Sequence, residues 1–243
     1  MNTQNFEYVR TSSREKFVGD EGLKAYVRKV FKYMATSLGL TAVISFLMLR
    51  TSLFNLFFQI TERGLTYSGL GYLVMWSPFF IVLFMGFNKN LSAQGSKIGL
   101  FSLAAIEGAS VSLLLFGYGI YNAFQAFLLT GIIFGSMVLY GYFTNANLLK
   151  MGNILIMGVW GLVIVSIIGM FTGGVGIWFS YATVIIFTGL IAYETQQIKA
   201  IYSMVGNTGE TSDKLAVFCA LNLYLDFLNI FVALLRIMGN NRD

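Results

Sequence analysis

Residues 221–239 read LNLYLDFLNIFVALLRIMG, an apolar run with a single acid, Asp226, near its middle. About 20 such residues in a helix cross the roughly 30 Å of hydrocarbon in a bilayer. A second stretch, FTGLIAYETQQIK at 187–199, carries Glu194 in the same way. Because a carboxylate at mid-membrane is costly, acids in such runs usually mark a functional site.

The rest of the chain repeats this apolar character. Of its 243 residues, 56% are hydrophobic and only 11% are charged, whereas a soluble domain has about 25% charged residues. We therefore predict an all-α fold and a polytopic membrane protein. A membrane β-barrel would instead show strands of about ten alternating residues. We predict seven transmembrane helices, at 30–49, 69–87, 97–117, 121–144, 152–171, 175–203 and 215–238.

Basic residues predict how the chain is oriented. With the N-terminus inside, twelve Lys and Arg residues fall on the inner side and four on the outer side, which agrees with the positive-inside rule. Seven spans then place the C-terminus outside. Residues 1–29 are a cytoplasmic tail, either solvated or a short amphipathic helix, and no cleavable signal precedes the first span. Residues 30–239 form the membrane domain and 240–243 a short tail.

Several classes of site are excluded by composition. The chain has no histidine, which rules out His-based metal sites and catalytic triads, and its single Cys219 cannot form an intramolecular disulfide. The net charge of +5 comes largely from bases before the first span. We therefore interpret it as a signal for orientation and expect no nucleic-acid partner.

The last two spans form a hairpin whose turn lies near Glu210. Glu194 and Asp226 are each sixteen residues from Glu210, so antiparallel helices place the two acids at similar depth. At 1.5 Å per residue, both lie well inside the membrane.

A polar stripe follows one face of the last span. Its residues are spaced at i, i+4, i+7 and i+14, which places them on the same side of a helix: Asn222, Asp226, Asn229 and Arg236. The preceding span adds Gln197, three residues after Glu194. A one-sided polar stripe on an apolar helix faces the bundle interior or a wet cavity. Polar side chains also hold helices together in membranes, but Asn and Gln would suffice for that purpose, so we favour a functional pair of acids.

Two carboxylates close together in a low-dielectric site cannot easily both ionise, and they titrate as a coupled pair. Such a pair can share a proton and join the two helices, or offer oxygen ligands to a hard cation such as calcium. A third acid, Glu107, lies in the third span. It either lines the same path or pairs with a polar side chain of a neighbouring helix.

The motifs YETQQI at 193–198 and LYLDFLNIF at 223–231, followed by LLR at 234–236, resemble those of the transmembrane Bax inhibitor motif family. The resemblance covers residues 25 to 239. It implies seven helices with a central one, which we expect to be the last. It also implies a pH-sensitive calcium leak channel whose sensor is one acid on each of the last two spans, here Glu194 and Asp226.

Two departures from the family pattern bear on this reading. The sixth-span acid is usually Asp, whereas Glu194 is one methylene longer. Some members also carry a Glu and an Arg in the second span, and residues 69–87 contain neither. Another branch loses the last-span acid and binds a membrane protease, so the presence of Asp226 places this chain nearer the channel-like branch.

The resemblance thus predicts a calcium or cation leak in a bacterial inner membrane, with the lipid bilayer and calcium as partners. The alternative is a non-conducting regulator that binds other membrane proteins, such as a membrane protease. Two acids on adjacent helices also suggest an intramembrane aspartyl protease, but the G-x-G-D motif of that class is absent. We therefore expect no catalytic residues, no enzymatic activity and no cofactor.

Overall fold

The computed structural model describes residues 21–61, 64–88 and 90–240, and nearly all of them are helical. The elements in chain order are α1 (Glu21–Arg50), α2 (Leu53–Phe57), β1 (Phe58–Thr61), β2 (Gly64–Tyr67), α3 (Gly69–Phe87), α4 (Ala93–Tyr118), α5 (Ile120–Phe143), a 3-10 turn (Leu148–Met151), α6 (Gly152–Thr172), α7 (Ile177–Val205) and α8 (Glu210–Asn240).

Seven of these helices are long and apolar enough to cross a membrane, with mean hydropathies between 1.4 and 2.6. They correspond to the seven spans expected from the sequence, which confirms the all-α polytopic fold. The sixth span is longer than a bilayer requires. Its helix, α7, has 29 residues and is about 43 Å long at 1.5 Å per residue, which exceeds the roughly 30 Å hydrocarbon core.

The first helix begins earlier than the predicted span. Residues 21–29, assigned by sequence to the N-terminal tail, continue α1 as helix, whereas 1–20 lie outside the described residues. Leu23, Tyr26 and Val30 are fully buried at helical spacing. This stripe explains the extension, because it packs an apolar face against the bundle.

The last helix is the centre of the bundle, as expected. Of the most apolar stretch of α8, 67% is buried inside the protein, compared with 6–39% for the corresponding stretches of the other six spans. Helices α1, α4, α5 and α7 pack around it, whereas α3 packs mainly on α4 and α6 mainly on α7. The side chains of α8 therefore meet most of the protein, and those of α6 chiefly face outward.

The turn between α7 and α8 is tied to α1. Gly206 and Gly209 have φ of 68° and 96°, a left-handed backbone that favours glycine. The ammonium group of Lys29 donates to Asp213 Oδ1 at 2.7 Å and to the carbonyl of Asn207 at 2.9 Å. These contacts hold the α7–α8 hairpin to the end of α1 that precedes the membrane span.

An aromatic-rich segment joins α1 to α3. It folds as α2 and an antiparallel β-hairpin in which Phe58 pairs with Tyr67. The ring of Phe54 stacks on that of Phe116 in α4 at 5.0 Å between centroids. Aromatic packing therefore fixes this segment on the end of the bundle.

Candidate functional site

The structure brings Glu194 of α7 and Asp226 of α8 together, as the hairpin argument predicted. Both side chains line the same cavity. Asp226 is only 4% exposed, and α7 and α8 form the most extensive helix pair in the protein. The two acids therefore face each other inside the bundle.

The hydrogen bonding of the pair is incomplete without a proton. Glu194 Oε2 and Asp226 Oδ2 are buried, and no side chain or backbone group among the described residues donates a hydrogen bond to either atom. An ionised carboxylate only accepts hydrogen bonds. One proton between the two groups would supply the missing donor, and without it two like charges would face each other in a low-dielectric site.

A cavity of about 380 Å³ opens onto the pair between α6, α7 and α8. Three of the predicted polar side chains line it with the acids, namely Gln197, Asn222 and Asn229. The amide nitrogen of Asn229 donates to the carbonyl of Leu225 at 2.8 Å. Its side-chain oxygen is therefore left as an acceptor, so the cavity combines two carboxyl groups with three amides.

The outer wall of this cavity was not predicted from the sequence. It is built by α6 through Ile156, Val159 and Trp160, and Tyr193 of α7 lies beside the acids. Trp160 is the one aromatic residue in the middle of an aliphatic span, and Tyr193 directly precedes Glu194. Only 6% of the most apolar stretch of α6 is buried, the smallest share among the seven spans. The helix that forms the outer wall of the site is therefore also the least packed.

The other two predicted residues lie elsewhere. Glu107 of α4 does not line the cavity of the acid pair. Arg236 lines a separate cavity where α6 ends and α7 begins. The structure therefore joins five of the seven predicted site residues and separates these two from them.

The cavity offers fewer oxygen ligands than a hard cation such as calcium usually takes. No group of three or more His, Cys, Asp or Glu side chains occurs together in residues 21–61, 64–88 and 90–240. Calcium takes six to eight oxygen ligands, so two carboxyl groups and three amide oxygens would have to be supplemented by water. Such a partial set is more typical of a transit site than of a tight resident site.

A family model and full-length relatives both assign the chain to one family of membrane proteins. A family model described as inhibitor of apoptosis-promoting Bax1 matches residues 23–243. The protein RP147 of Rickettsia prowazekii is 37% identical over 97% of each chain. The inner membrane protein YbhL of Escherichia coli is 33% identical over 91% of this chain and 94% of its own length.

Proposed function

The chain belongs to the Bax inhibitor family, and from that premise we propose that it is a pH-sensitive leak channel for calcium or a similar cation. The single observation that carries this proposal is that Glu194 and Asp226 line one cavity together with Gln197, Asn222 and Asn229. We propose that this pair is both the pH sensor and the gate.

The proposed gate works through one shared proton. With the proton bound, the two carboxyl groups are joined and hold α7 to α8. When the proton leaves, two anions face each other in a medium of low dielectric constant and repel strongly. The repulsion is relieved by separating the helices or by a cation that binds between the two groups, and either response couples pH to ion passage.

The orientation of the chain belongs to this proposal. Because relatives include an inner membrane protein, and because the basic residues cluster on one side, we place the N-terminus in the cytoplasm and the C-terminus outside. The protein would then act without a cofactor and without catalysing a reaction, as a passive route through the bilayer.

The deciding experiment is calcium flux into liposomes that contain only this protein and an entrapped calcium dye. Initial rates are measured across a pH series, with empty liposomes as the blank. We expect flux above the blank, with a rate that changes with pH. A protein that passes no calcium at any pH would instead be the non-conducting regulator of other membrane proteins.

The sensor is tested with Asp226→Asn, which keeps the shape and hydrogen-bonding capacity of the side chain but cannot titrate. We expect a leak that no longer responds to pH, in a protein that remains folded. The matched control is Asp213→Asn on the same helix, because Asp213 pairs with Lys29 at 2.7 Å outside the cavity. An unchanged pH profile in Asp226→Asn would disprove the sensor assignment.

A further inference from the structure

A second cavity of about 380 Å³ lies at the end of the bundle where α6 turns into α7. Its walls come from three elements, and the residues that line it are Ser166, Gly169, Met170, Gly174, Val175 and Arg236. It shares no lining residue with the cavity of the acid pair. A ligand bound there would therefore not contact Glu194 or Asp226.

The charged group of this cavity is the guanidinium of Arg236, in the last turns of α8. Neither of the two ion pairs among the described residues includes it. The nearest acid along the same helix, Asp226, is about 15 Å away at 1.5 Å per residue. Arg236 is half-buried, so its charge is partly withdrawn from solvent, and no carboxylate in residues 21–61, 64–88 and 90–240 forms an ion pair with it.

Aromatic packing holds the guanidinium in place. Its central carbon lies 6.0 Å from the centroid of the Phe179 ring, in the first turn of α7. A cation stacked on a ring face is oriented but not neutralised. The edge of the guanidinium, which carries the N–H donors, is thereby left to bind an anion through two parallel hydrogen bonds.

The backbone around the cavity also favours negative charge. The connection from α6 to α7 contains Gly173 and Gly174 with φ of 89° and 126°, and it folds back so that the Gly174 amide donates to the carbonyl of Gly169 at 2.7 Å. Helix α7 then starts at Ile177 with neither a side-chain cap nor an acidic residue in its first turn. The partial positive charge of that helix end adds to the charge of Arg236.

Large apolar side chains surround this end of the bundle. Phe171 is 86% exposed and Trp178 is 80% exposed, which is the behaviour of residues that contact acyl chains near a membrane surface. A ligand in this place would therefore meet a cation at one end and lipid-facing aromatic side chains at the other.

We propose that Arg236 and the α6–α7 connection bind a phosphate group, and that its source is the headgroup of a membrane phospholipid. The guanidinium forms charge-assisted hydrogen bonds with the phosphate oxygens, and Ser166 adds a hydroxyl group from the cavity wall. The acyl chains lie against Phe171 and Trp178. The site fixes a lipid at the junction of α6, α7 and α8, the same three helices that enclose the acid pair.

The proposal is tested by native mass spectrometry of the detergent-purified protein titrated with three probes: phosphatidylglycerol, diacylglycerol with the same acyl chains, and inorganic phosphate. We expect the wild type to retain phosphatidylglycerol and to bind diacylglycerol much more weakly. In Arg236→Gln the apparent Kd for phosphatidylglycerol should rise on the order of tenfold or more, as expected for lost hydrogen bonds to a charged group.

The matched control is Arg50→Gln, because the Arg50 guanidinium also lies over a phenylalanine ring, that of Phe46 at 5.2 Å, but lines no part of this cavity. Its Kd should stay at the wild-type value. Arg236→Lys, which keeps the charge without the planar fork, should give an intermediate Kd and covers the case in which Arg236→Gln fails to fold.

Three results would overturn the proposal. Equal retention of diacylglycerol and phosphatidylglycerol by the wild type would show that the phosphate is not recognised. An unchanged Kd in both Arg236 variants would show that Arg236 is not the ligand. Binding of inorganic phosphate as tight as that of the lipid would show that the source is a soluble anion rather than a headgroup.

Discussion

The hydroxyl groups of Thr41 in α1 and Tyr224 in α8 lie 2.8 Å apart, on the opposite face of α8 from Asp226. Two residues of separation correspond to a rotation of about 200° around a helix with 3.6 residues per turn. The hydroxyl group of Thr41 also lies 3.0 Å from the backbone carbonyl of Ser37 and 2.9 Å from that of Ala104, so it links α1 to both α4 and α8. The central helix is thus held by polar contacts on both faces, and only one face carries the acids.

The contact on the Thr41 face should contribute to stability but not to pH sensing. Tyr224 is fully buried, and Tyr224→Phe removes the hydrogen bond between its hydroxyl group and that of Thr41. We expect the free energy of unfolding to fall by about 0.5–1.5 kcal/mol, with an unchanged pH profile of flux. Tyr181→Phe is the control, because Tyr181 is 42% exposed; its stability should not change. A lost pH response in Tyr224→Phe would mean that both faces of α8 act together.

Glu194 and Asp226 should be energetically coupled. Once either acid is neutral, the like-charge repulsion and the shared proton are already gone, so the second substitution has little left to remove. In a double-mutant cycle of Glu194→Gln and Asp226→Asn we expect a coupling of about 0.5–3 kcal/mol in thermal unfolding. Strict additivity of the two changes would show that the acids act separately.

The longer side chain of Glu194 can be tested directly. Glu194→Asp keeps a carboxyl group while shortening the reach to Asp226 by one methylene. If the sensor depends on charge, the variant should keep a pH-dependent flux with a shifted midpoint. Glu194→Gln provides the comparison, since it has the original length and no charge. A flat profile for Glu194→Asp would mean that the spacing of the carboxyl groups decides the response.

The packing of α5 on α7 predicts a contrast between two glycines of the same helix. A Cβ added to Gly141 would lie 2.5 Å from the carbonyl oxygen of Ala192, whereas one added to Gly131 would meet nothing within 4 Å. Gly141→Ala should therefore destabilise the protein by about 1–3 kcal/mol through overpacking. Gly131→Ala should be neutral or slightly stabilising. Equal midpoints of thermal unfolding for both variants would contradict this packing.

The positive-inside distribution predicts the topology. The test uses a reporter enzyme that works only outside the cytoplasm. We expect activity when it is fused to the C-terminus and no activity when it is fused to the N-terminus. Seven spans with an inner N-terminus require this result. A silent reporter at the C-terminus, in a protein that is expressed, would show that one of the seven long helices does not cross the bilayer.

The site could be predicted only in part. Helical spacing placed Asn222, Asp226 and Asn229 on one face of α8, and the symmetric hairpin placed Glu194 opposite Asp226; the structure brings these groups into one cavity. Spacing also placed Arg236 on this stripe. The structure assigns it to a second cavity, because α8 extends well beyond the acid pair and meets the α6–α7 connection at its end.

The amino-acid sequence by itself determined that this is a seven-span helical membrane protein, because the length and polarity of each apolar run depend only on local composition. It also determined the depth of the two acids, since that depth follows from counting residues along a hairpin. Two features depended on the rotation and the neighbours of each helix: which helix closes the cavity, and whether Glu107 reaches it. Side-chain packing between segments distant in the chain decides both, so only the tertiary structure revealed that α6 and Trp160 enclose the acid pair and that Glu107 does not line its cavity.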